Sequence, residues 1–380
     1  MPRLLISCGE PSGEFYGAEL VAELRRRVPE LEVFGLGGDR LAAGNVRLLA
    51  HLKDLAVVGL VEVLSHLRRL KGLFDSVVNE ARRLRPEVAV LIDYPDFNLR
   101  LARKLKGLGI PVVYYVSPQL WAWRRGRIKD VKRDVAKMLV IFPFEEQIYR
   151  GANVPVAFVG HPLVDHVGPP ADRAAVAKRL GLDPGRPVVA LLPGSRNKEV
   201  AFNLPPILGA VKLLRQQRGE LQFVLAAAPH LSPDAFQEAT TLGVMALEGV
   251  TRDVVAAARV AIVASGTATV ETALTGTPMV VVYRISGLTY ALGKPLVNLN
   301  TYAMVNLIAG RTVVPELIQK DFTPARVTEE VIRLLDDGPP RSEMLRGLDA
   351  VRERLGKGGA TARAADQVME FLKPAPGKTG

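Results

Sequence analysis

The sequence predicts an α/β protein of two doubly wound, Rossmann-like domains facing across a cleft. Three observations carry this expectation. Short apolar runs, of the kind buried parallel strands require, alternate with helix-like segments along most of the chain. The alternation breaks at H-P-L-V-D-H-V-G-P-P, near Pro162 to Pro170, and then restarts. The 380 residues suffice for two full cores. The expected domains are residues 1–165 and 166–340, followed by a helical segment and flexible tail over 341–380. In doubly wound sheets ligands sit beyond the carboxyl ends of the strands, which puts the ligand of a two-domain pair in the cleft.

Each element follows from local pattern. Residues 3–8 read as a strand, Gly9 to Glu14 as a turn and Gly17 to Arg27 as an amphipathic helix. Strands follow at Glu32–Leu36, Glu87–Ile92, Pro111–Val116 and Ala136–Ile141, with a helix over Leu99–Leu108. The second half gives strands at Arg186–Leu192, Leu221–Ala226, Ala258–Ala264 and Pro278–Tyr283. From Thr323 the chain is mostly helical and polar, ending in a disordered-looking K-P-A-P-G-K-T-G. The run from Leu55 to Phe74 is apolar on most of a helical surface, with basic residues gathered late. It is either a half-buried helix or a patch, including Val57, Val58, Leu60, Val61, Leu64 and Leu67, that meets an anionic membrane or acyl chains.

Composition narrows the class. Hydrophobic residues are 48% and charged residues 23%, an ordinary globular balance. A single cysteine, Cys8, excludes an intrachain disulfide and a cysteine metal cluster, and fits a reducing cytoplasmic compartment. The five histidines lack metal-ligand spacing, so neither a metal nor a cofactor is expected. No apolar run spans a bilayer, and the N-terminus lacks a signal-peptide core. The net charge of +11 favours phosphate-rich partners without choosing among them. No recognised nucleic-acid motif accompanies it, so nucleic acid is not an expected partner.

Four strand ends carry candidate chemistry. Ser265, Gly266 and Thr267 follow the run Val260–Ala264; Gly266 lets a ligand approach the backbone, and Ser265 or Thr267 is expected to cap the next helix. That helix N-terminus suits a phosphate, and Glu271, one turn on, suits sugar hydroxyls. At L-L-P-G-S-R, Gly194 frees the backbone, Ser195 follows, and Arg196 offers a fork that matches a diphosphate. In the first half Glu10 and Asp93 are carboxylates able to take a proton from an attacking hydroxyl, although Asp93 or Asp96 in a turn-capping role reads equally well. Trp121 and Trp123, among four basic residues, stack on a sugar or pack in the core. Together these features describe a nucleotide-sugar enzyme whose leaving diphosphate binds the second half.

Eight short motifs in order then give the chain a resemblance to the lipid-A-disaccharide synthase family, inverting glycosyltransferases of the two-Rossmann-domain (GT-B) type. They are G-E-P-S-G-E at Gly9, L-A-V-V-G-L-V-E-V-L at Leu55, I-D-Y-P-D-F-N at Ile92, Y-V-S-P-Q-L-W-A-W-R at Tyr115, F-V-G-H-P at Phe158, L-L-P-G-S-R at Leu191, A-S-G-T-A-T-V-E at Ala264 and N-L-I-A-G-R at Asn306. The resemblance implies transfer of 2,3-diacylglucosamine from UDP to the 6-hydroxyl of 2,3-diacylglucosamine 1-phosphate (lipid X). The products are a β-1,6-linked disaccharide 1-phosphate and UDP. It implies Asp93 as base, functional roles for Arg196 and Asn306, and Glu271 on the ribose. It further implies peripheral contact with the anionic inner membrane and a homodimer with exchanged C-terminal segments. Three positions depart from the family pattern: Pro11 and Glu14 replace the alanine and aspartate of G-E-A-S-G-D, and Val305 stands where a proline usually precedes the asparagine. The alternative on the same fold is a UDP-GlcNAc 2-epimerase or another UDP-GlcNAc transferase.

Overall fold

The computed structural model describes residues 1–54, 63–120, 125–168, 172–229, 231–286 and 301–372, with only the backbone for 54, 63–68 and 125. The chain forms two compact units. One comprises Met1–Pro162 together with the segment from Lys357; the other is Leu163–Gly356.

The first unit holds a seven-stranded sheet built from β1 (Arg3–Cys8), β2 (Glu32–Gly37), β3 (Arg47–His51), β4 (Val88–Ile92), β5 (Val112–Tyr115), β6 (Lys137–Val140) and β7 (Val156–Phe158), in the order β3-β2-β1-β4-β5-β6-β7. The second holds β8 (Val188–Leu192), β9 (Gln222–Ala227), β10 (Met245–Glu248), β11 (Val260–Ala264), β12 (Met279–Tyr283) and β13 (Glu316–Ile318), in the order β10-β9-β8-β11-β12-β13. The strand pairs are parallel. In each sheet the chain starts near the centre, winds to one edge, then returns to wind to the other. That is the doubly wound order, and its reversal point lies at β1/β4 in one unit and β8/β11 in the other.

The central strands are apolar throughout because helices cover both faces. V-A-V-L-I of β4, V-V-A-L-L of β8 and V-A-I-V-A of β11 are buried at every residue. The edge strands β3, β7, β10 and β13 were not among the expected strands. They are short, and most of their residues are only partly buried, so no continuous apolar run marks them.

Two helices begin earlier than their sequence patterns suggest. Pro11 and Pro95 occupy first-turn positions, where a missing N–H costs nothing, so the helices are Pro11–Arg27 and Pro95–Gly107. The expected turn Gly9–Glu14 is therefore mostly helix. The helix Val63–Leu84 overlaps the apolar run at 55–74 and continues past it. Residues 55–62 lie outside the described residues. Its later part is core: Val77, Val78 and Ala81 are buried, and the Phe74 ring meets Phe97 edge-on at 5.4 Å. Among the described residues no helix is long and apolar enough to cross a membrane.

Near the end, the helix Pro339–Leu355 belongs to the second unit, whereas Ala360–Met369 returns to the first and packs on Pro11–Arg27. Arg27 pairs with Asp366 at 2.5 Å, Lys137 pairs with Glu370 at 2.7 Å, and Arg363 Nε donates to the Val159 carbonyl at 2.8 Å.

His161 closes the first unit. It is buried between Tyr16, edge-on at 6.1 Å, and Phe142 at 5.3 Å. Burial holds its imidazolium form down, to a pKa of about 3 from an ordinary 6.5. The unfolded chain therefore binds one more proton between those values. This contribution to stability is complete above pH 6.5 and falls as the pH drops toward 3, by about 1.4 kcal/mol per unit. His161→Phe keeps the ring packing and removes the proton. Urea unfolding of this variant from pH 6 to 4 is expected to show a shallower loss of stability than wild type; parallel profiles would mean that His161 does not titrate on unfolding.

Candidate active site

In the first unit the candidate residues gather at the carboxyl ends of β1 and β4, which are neighbours with Cys8 beside Ile92. Glu10 precedes the helix Pro11–Arg27 as its N-cap, in extended conformation, and its carbonyl accepts from Glu14 N at 2.9 Å. Gly9 cannot be replaced without a shift, because a Cβ there would stand 2.1 Å from the Tyr94 ring. The two turns are thus interlocked.

After β4 the chain passes through two consecutive left-handed residues, Asp93 (φ 48°) and Tyr94 (φ 49°), before Pro95 starts the next helix. Such a pair persists only where the surroundings over-determine it. Asn98 does so. It is fully buried, accepts from Ser7 Oγ at 2.7 Å, and donates through Nδ2 to the carbonyls of Asp93 (2.8 Å), Ile92 (3.1 Å) and Ser7 (3.4 Å). Tyr114 OH donates to the same Asp93 carbonyl at 2.6 Å, and burial drives its pKa up, so it stays a donor. The N-cap position of the helix that follows is held by Tyr94. Asp96 is ion-paired with Arg127 at 2.6 Å. Glu14 is buried and accepts from the N–H groups of Arg40 (2.8 Å) and Leu41 (3.2 Å), capping the short helix Asp39–Ala43. Its longer arm thus serves a structural contact.

In the second unit the candidate residues lie at the ends of β8, β11 and β12. Pro193, Gly194, Ser195 and Arg196 join β8 to the helix Asn197–Gln217, with Arg196 as N-cap. Gly194 has φ 130°, and a Cβ on it would meet Glu199 at 2.6 Å. Glu199 Oε2 accepts from Ser195 N (3.0 Å) and Arg196 N (3.3 Å), while Oε1 accepts from Arg196 Nη1 (3.0 Å). The Arg196 side chain is 64% exposed even so. Asn203, fully buried about two turns later, donates to Pro193 O at 2.9 Å and accepts from Arg284 N at 2.9 Å. It ties the arginine turn to the end of β12.

The turn after β11 departs from expectation. The N-cap of the helix Thr267–Leu274 is Gly266 (φ 154°), and no side chain caps it. Ser265 donates instead to the Tyr302 carbonyl at 3.1 Å, and Thr267 is the first helical residue. Glu271 Oε1 stands 3.5 Å from Arg252 Nε, so the expected ribose acid is in an ion pair. Because β8 and β11 are adjacent parallel strands, the two turns share one end of the sheet. Asn306 is buried beside them, within the helix Met304–Ala309.

Trp121, Trp123, Val57, Val58, Leu60 and Val61 lie outside the described residues, as do the side chains of Leu64 and Leu67. Among the described residues no group of three or more His, Cys, Asp or Glu is placed to hold a metal ion. Sequence reasoning missed Asn98, Tyr114, Glu199 and Asn203. Asn98 sits inside a motif whose aspartate drew the attention; Asn203 carries no signal beyond being an asparagine on an otherwise apolar helix face.

A family model described as lipid-A-disaccharide synthetase matches residues 4–364. The chain belongs to the lipid-A-disaccharide synthase family. It is 47% identical to the lipid-A-disaccharide synthase of Myxococcus xanthus and 48% identical to that of Koribacter versatilis, with 98% of each chain covered in both cases. It is accordingly a glycosyltransferase of lipid A biosynthesis, and the family does not favour the 2-epimerase alternative. Solved structures bear out the two-domain GT-B fold and only that. The UDP-GlcNAc 2-epimerase of Neisseria meningitidis bound to UDP-GlcNAc aligns with a TM-score of 0.65 at 12% identity, covering 97% of this chain and 100% of the other. A calicheamicin glycosyltransferase aligns at 0.59 and 18%, covering 98% of each.

Proposed function

We propose that this chain moves 2,3-diacylglucosamine from UDP to the 6-hydroxyl of 2,3-diacylglucosamine 1-phosphate, with inversion. The observation that carries the reading is the family match across residues 4–364, joined to the residues at the strand ends. Asp93 takes the proton of the 6-hydroxyl, whose oxygen attacks the anomeric carbon. The bond from that carbon to the UDP oxygen breaks, and UDP leaves with its electron pair. Arg196 and the uncapped N-terminus of the helix Thr267–Leu274 bind the leaving charge, where preorganised donors are most effective. Glu271 exchanges its arginine partner for the ribose hydroxyls. Glu10, at the neighbouring strand end, orients the acceptor or serves as the base in place of Asp93.

In turnover assays, Asp93→Asn is expected to lose at least about 100-fold in kcat while binding UDP as wild type does. Arg196→Ala is expected to lose UDP affinity and rate together, since a charged hydrogen bond contributes roughly 1.5–3 kcal/mol. Near-normal kcat in the first variant would move the base to Glu10; unchanged kinetics in the second would move the diphosphate elsewhere.

The apolar run at 55–67 and the net charge of +11 support peripheral binding to the anionic inner membrane from the cytoplasmic side. The triple variant Val58→Ser, Leu60→Ser, Leu64→Ser is expected to lose flotation with anionic liposomes; retained flotation would place the contact elsewhere. The family resemblance also supports a homodimer with exchanged C-terminal segments. Light scattering is expected to give twice the chain mass of 41.2 kDa, and a monomer would end that proposal.

A further inference from the structure

Asn306 is the residue whose surroundings fit least well with direct substrate contact. A carboxamide has two N–H donors and an oxygen with two lone pairs. Here Nδ2 donates to Val314 O at 2.9 Å and to Glu316 Oε1 at 2.7 Å. Oδ1 accepts from Val313 N at 2.7 Å and Val314 N at 3.0 Å. All four capacities are met inside its own unit, and the residue is 2% exposed. A ligand would have to break one of these bonds to gain another.

The connection leads onward through Glu316. This residue opens β13 and stands beside Val281 of β12. Its Oε1 also accepts from the Thr301 hydroxyl, and Oε2 accepts from Tyr302 N at 2.8 Å. The Tyr302 carbonyl, in turn, accepts from Ser265 Oγ at 3.1 Å. One continuous path therefore runs from Asn306 through Glu316 and the backbone of Tyr302 to the residue before Gly266. The carboxylate is the hub, collecting three donors, two from the adjacent residues Thr301 and Tyr302 and one from Asn306.

We infer that Glu316 is a positioning residue for the nucleotide-sugar donor, and that Asn306 acts on the donor only through it. Glu316 holds the backbone at 301–302 against the Ser265–Thr267 turn, and so sets the shape of the wall that the donor meets. The inference rests on the reading that this turn binds the donor. Glu316→Gln is close in size but turns an N–H group toward the donors of Thr301, Tyr302 or Asn306, so the hub cannot close.

The test is calorimetric titration with UDP of wild type, Glu316→Gln, Asn306→Ala and the double variant, at a temperature where melting curves show each to be folded. Each single variant is expected to bind UDP about tenfold more weakly, and the double variant no more weakly than the worse single, because both changes break one path. In turnover, KM for the donor is expected to rise about tenfold while kcat stays within about threefold. Losses that multiply in the double variant would put Asn306 on the donor independently of Glu316 and overturn the inference. So would wild-type affinity in Glu316→Gln, since a purely structural role would lower the melting temperature alone. Thr301→Val, which removes one neutral donor from the hub, covers the case in which the charged position does not tolerate change; it is expected to weaken UDP about threefold, and unaltered affinity there would also overturn the inference. Failure of the wild type to bind UDP would instead overturn the donor-site reading itself.

Discussion

A parallel strand buried on both faces ends with backbone groups that have no ladder partner, and those ends are where this protein keeps its functional turns. The constraint is strict, because a buried polar group without a partner costs about 1–3 kcal/mol. Three buried asparagines meet it. Asn98 fastens the end of β4 to β1, Asn203 fastens the turn after β8 to the end of β12, and Asn306 fastens the segment entering β13 to its own helix. A carboxamide suits this work because it donates and accepts at once, without burying a charge. Apolar strands supply the sheet, and the amides fix how each strand is allowed to leave it.

The same constraint explains why the site residues differ in setting. Asp93 is held by its backbone in a left-handed pair, with its carbonyl gripped by Asn98 and Tyr114. Its backbone is thus fixed by buried groups behind it. Arg196 and Glu271 are ion-paired with Glu199 and Arg252. In each pair one partner is the more exposed, Arg196 in the first and Arg252 in the second. The residue with the fixed backbone is the proposed base, and the ion-paired ones belong to the proposed nucleotide site.

How much of this was legible in the sequence follows from what leaves a local pattern. The central strands were legible because burial on both faces demands continuous apolar runs. The edges β3, β7, β10 and β13 were not, because a half-solvated strand of three to five residues needs no such run. The turns at Glu10, Asp93, Arg196 and Ser265 were legible as glycine- and proline-marked strand ends. Their hydrogen-bond partners were not. Glu199 claims the amides of the arginine turn, and Ser265 reaches Tyr302, 37 positions away, rather than capping its own helix. The hub at Glu316 depends on three donors distant from it in sequence, and nothing around P-E-L-I announces them.

The return of the helix Ala360–Met369 to the first unit has a consequence for synthesis. The second unit, Leu163–Gly356, is complete in sequence before the chain has finished, whereas the first is not. The helix Pro11–Arg27 precedes the second unit, yet part of its covering, including buried Ala364, Ala365 and Val368, is translated only after that unit. Assembly on the ribosome therefore runs out of order: the first unit waits, partly uncovered, until the whole of the second has been made.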